Sequence, residues 1–245
     1  ILVDLSTFVI AFFSLLFFVK IPMLKDQGSQ KGEASKNETL YMASKAGLGY
    51  LKDNPMILYL ILFLAGVNLV ASAFDATLPA YVLPRENGGE KVLGIVTSSA
   101  GIATLLGSLL VTALPKPKNR IRVIIGTMLF SLTIENFLLA FTRIPALWCL
   151  GQFLGWSVVP VMSANLDVIL RTTIPVEMQG RVYSCRNTLQ FFTIPIGFFL
   201  GGLMVDQVLE PFMVGAQDIP WLAFLFGSGK GSGAAVMMFV TGLAG

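Results

Sequence analysis

Apolar residues run along this chain in blocks too long and too uniform for helices that show one face to water. Near-continuous apolar stretches cover residues 1–19, 55–83, 92–114, 121–142, 145–170 and 187–209, and a shorter one covers 233–245. A helix rises about 1.5 Å per residue, so about 20 residues cross the ~30 Å hydrocarbon core of a bilayer. The six longer stretches meet that length. Helices of soluble domains carry an apolar stripe and a polar face, whereas these stretches are apolar on all sides. A transmembrane barrel alternates apolar and polar positions in segments of about ten, a pattern these runs lack. The pattern predicts an all-α membrane protein.

Charge sets the orientation. Of 17 Lys and Arg residues, 13 fall in three regions that share one side if every stretch crosses. These are residues 20–54, with Lys20, Lys25, Lys31, Lys36, Lys45 and Lys52; the connection around 115–120, with Lys116, Lys118, Arg120 and Arg122; and 171–186, with Arg171, Arg181 and Arg186. Arg85, Lys91, Arg143 and Lys230 lie on the other side. Positive loops stay in the cytoplasm, so 20–54, 115–120 and 171–186 are expected there, in a plasma (inner) membrane protein. The net charge of +3 follows from this topology and calls for no nucleic-acid partner. Residues 1–19 read as a span rather than a signal peptide, since they have no basic leader or small-residue cleavage site. The missing initial Met and the short last run lead to the expectation of a fragment.

The long polar segment 20–54 divides in two. Residues 25–37 are rich in Lys, Gly, Ser and Gln and are expected to be flexible. Leu40, Ala43, Gly47, Leu48 and Leu51 then recur at helical spacing, which predicts an amphipathic helix on the membrane surface. Residues 227–233 are Gly-rich and follow Trp221, Phe224 and Phe226, suggesting an interfacial aromatic segment and a hinge. They lack the Gly-x4-Gly-Lys-Ser/Thr spacing of a phosphate-binding loop.

Small residues at four-residue spacing mark close helix packing. Gly197 and Gly201 form one such pair, Gly151 and Gly155 another; Gly94, Ser98 and Gly101 share a face, and Gly107 follows. Such residues let backbones approach where no hydrophobic effect drives association. They serve static packing, a sliding contact, or both.

Polar residues inside these spans each demand a reason, because a mid-bilayer charge costs roughly 2.5–3.5 kcal/mol or more. Asn68, Ser72, Asp75 and Pro79 share one helix face, turned to a cavity or a partner helix. Gln152, Trp156, Ser163 and Asp167 form a second stripe, whose aromatic and polar character suits an amphipathic ligand. Asp167 also lies four residues from Arg171, the spacing of a local ion pair. Glu135, beside Asn136, sits near the centre of its span. It either cycles a proton or bonds a neighbouring helix. The chain has no His, so proton coupling within it falls to Asp75 and Glu135. Neither a metal site nor a cofactor is expected, and without His, DxxD or HExxH sets the chain does not read as an enzyme.

Three segments carry a family likeness. Asp4-Leu-Ser-Thr-Phe8 with Lys20-Ile-Pro22 resembles the sixth helix of a major facilitator transporter. Leu93-Gly-Ile-Val with Gly101 and Leu106-Gly-Ser resembles the eighth. Pro175-x-Glu177-x-x-Gly180-Arg181-Val182 resembles the loop between the tenth and eleventh, within the group of macrolide-efflux proteins and enterobactin exporters. The resemblance implies the C-terminal six-helix bundle of a twelve-helix fold, with residues 1–19 as the sixth helix, 20–54 as the linker and 55–245 as the bundle, and an absent N-terminal half as partner. It implies proton-coupled export of small amphipathic compounds by alternating access. A narrow siderophore or metabolite exporter is the alternative, and the membrane domain of an ATP-driven exporter a more distant one. The resemblance makes the seventh and tenth helices line the cavity, makes the ninth, with Glu135, peripheral, and places Asp167, Arg171, Glu177, Arg181 and Arg186 in a cytoplasmic gate. The acid that often precedes the basic run between the eighth and ninth helices is absent from Ala113–Arg122.

Cysteines engineered into 40–54 and 115–120 are expected to resist membrane-impermeant thiol reagents in intact cells and to react once the cells are opened. Labelling from outside would overturn the orientation.

Overall fold

A computed structural model describes residue 13, residues 40–216 and residues 218–244. The expected first span, 1–19, and the Lys-rich part of the linker thus lie outside the described residues, apart from Phe13. The described chain is helical: α1 Leu40–Asp53, α2 Pro55–Val82, α3 Glu90–Ala113, α4 Arg120–Phe141, α5 Pro145–Thr173 and α6 Val176–Met204, then a π-helical turn Val205–Leu209, α7 Glu210–Gly215, α8 Pro220–Phe226 and α9 Ser232–Ala244. Among the described residues, five helices are long and apolar enough to cross a membrane: α2, α3, α4, α5 and the continuous stretch Val176–Gly215. The chain is a multi-pass membrane protein of helical-bundle type. Much of its apolar surface faces outward, including Leu105, Leu109, Phe192 and Phe199, which suits a lipid solvent.

The connections alternate between two ends. Asn54, residues 114–119 and Ile174-Pro175 form the basic end; residues 83–89, 142–144 and 227–231 form the opposite end. Helix starts follow local chemistry. Pro55 and Pro145 occupy first-turn positions, where the missing N–H costs nothing. The Asn119 side chain accepts from the Arg122 amide at 3.1 Å and caps α4. Gly89, at φ +101°, turns the chain into α3 in a conformation that L side chains rarely adopt.

Helix α2 packs along α6, and α5 packs along both α3 and α4; α9 fills the groove between α4 and α2. Glycine makes three of these contacts possible. A Cβ on Gly201 would lie 2.6 Å from the Ala73 carbonyl, and one on Gly197 2.5 Å from that of Leu69, so α2 and α6 touch backbone to backbone. Gly107 likewise sits against the Ser157 carbonyl of α5, and Gly151 against Leu139 of α4. Gly101 does not pack this way: with Gly94 and Ser98 it is exposed, and nothing lies within 4 Å of its Cβ position. At 100° per residue it lies about 120° around the helix from Gly107, on the face turned away from α5.

Two apolar clusters hold the ends. Leu51, Ile61, Ile124, Leu170 and Val182 join α1, α2, α4, α5 and α6 at the basic end. Tyr81, Trp148, Leu139 and Met238 anchor the other. Three expectations change. The predicted span 187–209 and the loop 171–186 merge: α5 runs to Thr173, Pro175 caps the next helix, and α6 starts at Val176. Charged Glu177 and Arg181 continue the helix past its apolar part, because such side chains are good helix formers. Second, the amphipathic segment expected on the membrane surface is helical as α1 and makes a contact the sequence did not show, with Gly47 against the Arg181 backbone of α6. Third, the Gly-rich segment is a fixed turn. Gly227, Gly229 and Gly231 all take φ near +90°, and Glu210 accepts from the Gly231 and Gly233 amides at 2.7 and 2.8 Å, tying the start of α9.

Gly201→Leu is expected to destabilise the protein by about 1–3 kcal/mol or more through overpacking, and Gly101→Leu to leave stability unchanged, in denaturant unfolding in micelles. Equal effects would contradict the packing described.

Candidate functional site

Two polar stripes and a largely apolar face meet inside the bundle. On α2, Asn68, Ala71 and Asp75 recur at helical spacing; on α4, Thr127, Ser131 and Glu135 sit four residues apart. With Trp156, Val159 and Met162 of α5 they line a partly open cavity of about 210 Å³. Both candidate carboxylates, Asp75 and Glu135, therefore face one space. Glu135 is 5% exposed and accepts a hydrogen bond from Trp156 Nε1 at 3.2 Å. Its place depends on Gly155, since a Cβ there would collide with the Glu135 carboxylate. Neighbouring Asn136 is buried and paired: its amide donates to the Leu132 carbonyl at 2.7 Å, and its oxygen accepts from Thr241 of α9 at 2.6 Å.

The cavity gathers some of the residues marked in the sequence and separates others. Asn68, Asp75 and Trp156 line it. Ser72 instead faces Gly197 of α6, Gln152 is buried outside the lining, and Ser163 is exposed. Glu135 lies in the interior, where the resemblance implied a peripheral helix. Thr127 and Ser131 escaped the sequence reading, although their four-residue spacing to Glu135 was a legible signal.

A polar chain leads from the cavity toward the basic end. Asn68 Nδ2 donates to the Gln190 carbonyl at 3.2 Å. The Gln190 side chain accepts from Arg186 Nε at 3.2 Å. Arg186 then pairs with Asp167 at 3.1 Å across α5 and α6. The expected partner of Asp167 was Arg171, one turn along. Arg171 is exposed, as is Glu177, and Arg186 reaches Asp167 because α6 is already helical there. Arg181 approaches the Met178 sulfur at 3.8 Å. The two cysteines are free. Cys149 lies in the first turns of α5, and Cys185 lies at the basic end, against the Ser44 carbonyl. Among the described residues no group of His, Cys, Asp and Glu is arranged to hold a metal ion.

A volume of 210 Å³ holds several waters at about 30 Å³ each and falls below the roughly 300–1,000 Å³ of drug-sized ligand sites. The cavity can bind water and protons, or one small group. At this volume the described walls alone do not surround a large amphipathic compound.

A double-mutant cycle on Asp167→Asn and Arg186→Gln is expected to show a coupling of about 0.5–1 kcal/mol, since Asp167 is partly exposed. Additive effects would mean that the pair does not join α5 to α6 in the membrane. No family model matches the chain, and no curated protein or solved structure matches it either.

Proposed function

We propose that this chain is part of a secondary active transporter, with Asp75 and Glu135 as the groups that bind and release the coupling proton. The observation that carries this reading is the convergence of two carboxylates from different helices, α2 and α4, on one partly open cavity of a membrane bundle. Isolated charges at that depth are costly and mark ion or proton pathways by default. Two carboxylates facing one cavity offer a coupling proton two acceptors in the same place. The Trp156 indole fixes the Glu135 orientation. The polar chain through Asn68, Gln190 and Arg186 to Asp167 gives the protonation state a route to helix packing at the basic end.

The major facilitator likeness supports the same assignment, with export of small amphipathic compounds through a pathway completed by an N-terminal bundle. Because the cavity is too small for such a compound, we assign it to the proton and place the substrate on the outer face of this bundle, toward that partner. Whether the cargo class is broad or narrow is a separate matter, to be read from a substrate panel.

In everted vesicles carrying the full-length protein, Asp75→Asn is expected to abolish efflux driven by a pH gradient while insertion and expression persist. Glu135→Gln is expected to slow it by about tenfold or more, on the scale of a lost acid–base group. Undiminished gradient-driven efflux in both variants would refute the assignment.

A further inference from the structure

Four cations lie at the end opposite the basic connections: Arg85, Lys91, Arg143 and Lys230. Three of them, Arg85, Arg143 and Lys230, line one polar recess of about 330 Å³ between residues 84–87 and the 227–230 turn. Like charges brought together disfavour one another unless an opposite charge is near. Glu86 is the carboxylate on the wall. Glu210 has both oxygens engaged by the Gly231 and Gly233 amides. Both carboxylates keep their charge, so three cations stand against Glu86 on the wall and Glu210 nearby, and the recess carries an excess of one positive charge.

The guanidinium groups are held in place by the fold. Arg85 donates through Nη2 to the Phe226 and Gly231 carbonyls at 2.8 and 3.2 Å and stands 4.8 Å over the Tyr81 ring. Arg143 donates through Nη2 to the Ala223 and Phe224 carbonyls at 2.9 and 3.1 Å. Each fork has five N–H groups, so these bonds occupy only part of it. The Nε of Arg85 is buried without a hydrogen-bond partner among the described residues. Burial holds the Arg85 pKa below its ordinary value and the like charge of Arg143 adds to that, while Tyr81 and Glu210 oppose it; a further anion in the recess would act in the same sense as Glu210. Ser228 and Asn87 add neutral polar groups to the wall.

Arginine forks match the oxygens of a phosphate, and a lysine adds a mobile point charge. The geometry points to an oxyanion site: this recess binds a phosphate-bearing group, from a lipid headgroup or from free phosphate, and the bound anion locks the turn before α9. The inference is independent of the transport reading, since it needs neither Asp75 nor Glu135.

The test uses the full-length protein in two arms. In neutral detergent, inorganic phosphate is titrated against chloride at matched ionic strength, with thermal unfolding and phosphorus NMR line width as readouts. In nanodiscs, retention of phosphatidylglycerol over phosphatidylcholine is measured by native mass spectrometry. Wild type is expected to bind in at least one arm, and the arm that responds names the source. Arg143→Gln with Lys230→Gln is expected to weaken that binding by about tenfold or more, the scale of one or two charge-assisted hydrogen bonds. Lys91→Gln is expected to change nothing. Should the double variant not fold, Lys230→Gln alone, at an exposed position, is expected to weaken binding measurably. Absence of binding in both arms, or binding in the variants equal to wild type, overturns the proposal.

Discussion

Lipid accepts no hydrogen bond, and that constraint shapes the molecule more than any single contact. Every backbone amide in the hydrocarbon must find its partner within a helix, and every polar side chain must turn inward or bond its own backbone. Thr77, Ser98, Thr104, Ser108 and Thr127 all donate to a carbonyl one turn back. Asp75 and Glu135 turn into a shared cavity. The charges that do face solvent gather at the two ends, where helices stop.

Because apolar side chains gain little from leaving lipid for one another, the bundle is held by shape and by polar contacts. Glycines bring α2 to α6 and α3 to α5 at backbone distance. At the end opposite the basic connections, the single Tyr81 hydroxyl proton is shared between the Leu139 and Thr142 carbonyls, 2.5 and 2.7 Å from its oxygen, and Trp148 Nε1 donates to that of Thr142 at 3.0 Å. These bonds satisfy the exposed carbonyls where α4 ends. Pro79, Pro160 and Pro195 interrupt three of the long helices, and the π turn at Val205–Leu209 loosens the end of α6. The same frame supports both proposals: an interior proton site and a cationic recess at one rim.

The helices were legible in the sequence because their apolar runs are long and unbroken. Their ends were less so. Residues 176–186 carry charge and a loop-like motif, yet Pro175 can cap a helix and the residues after it favour one, so α6 begins eleven residues before its apolar part. Helical spacing showed that Asn68, Ser72 and Asp75 share a face, but a face about 60° wide can touch two neighbours at once. Ser72 met the glycine of α6 and Asp75 met the cavity. Spacing put Gly101 and Gly107 on faces about 120° apart but could not tell which of the two faces meets α5. The link between Arg85 and the 227–231 turn joins residues some 140 positions apart, beyond the reach of any local pattern.

The account rests on α2 to α6 standing across a bilayer with their polar groups inside. Polarised infrared spectroscopy of the protein in oriented bilayers reads this directly. Amide dichroism is expected to place the helices at about 20° on average from the membrane normal, as spans usually tilt, with most of their amides resisting exchange into heavy water. Helices lying in the membrane plane, or amides that exchange freely, would contradict it.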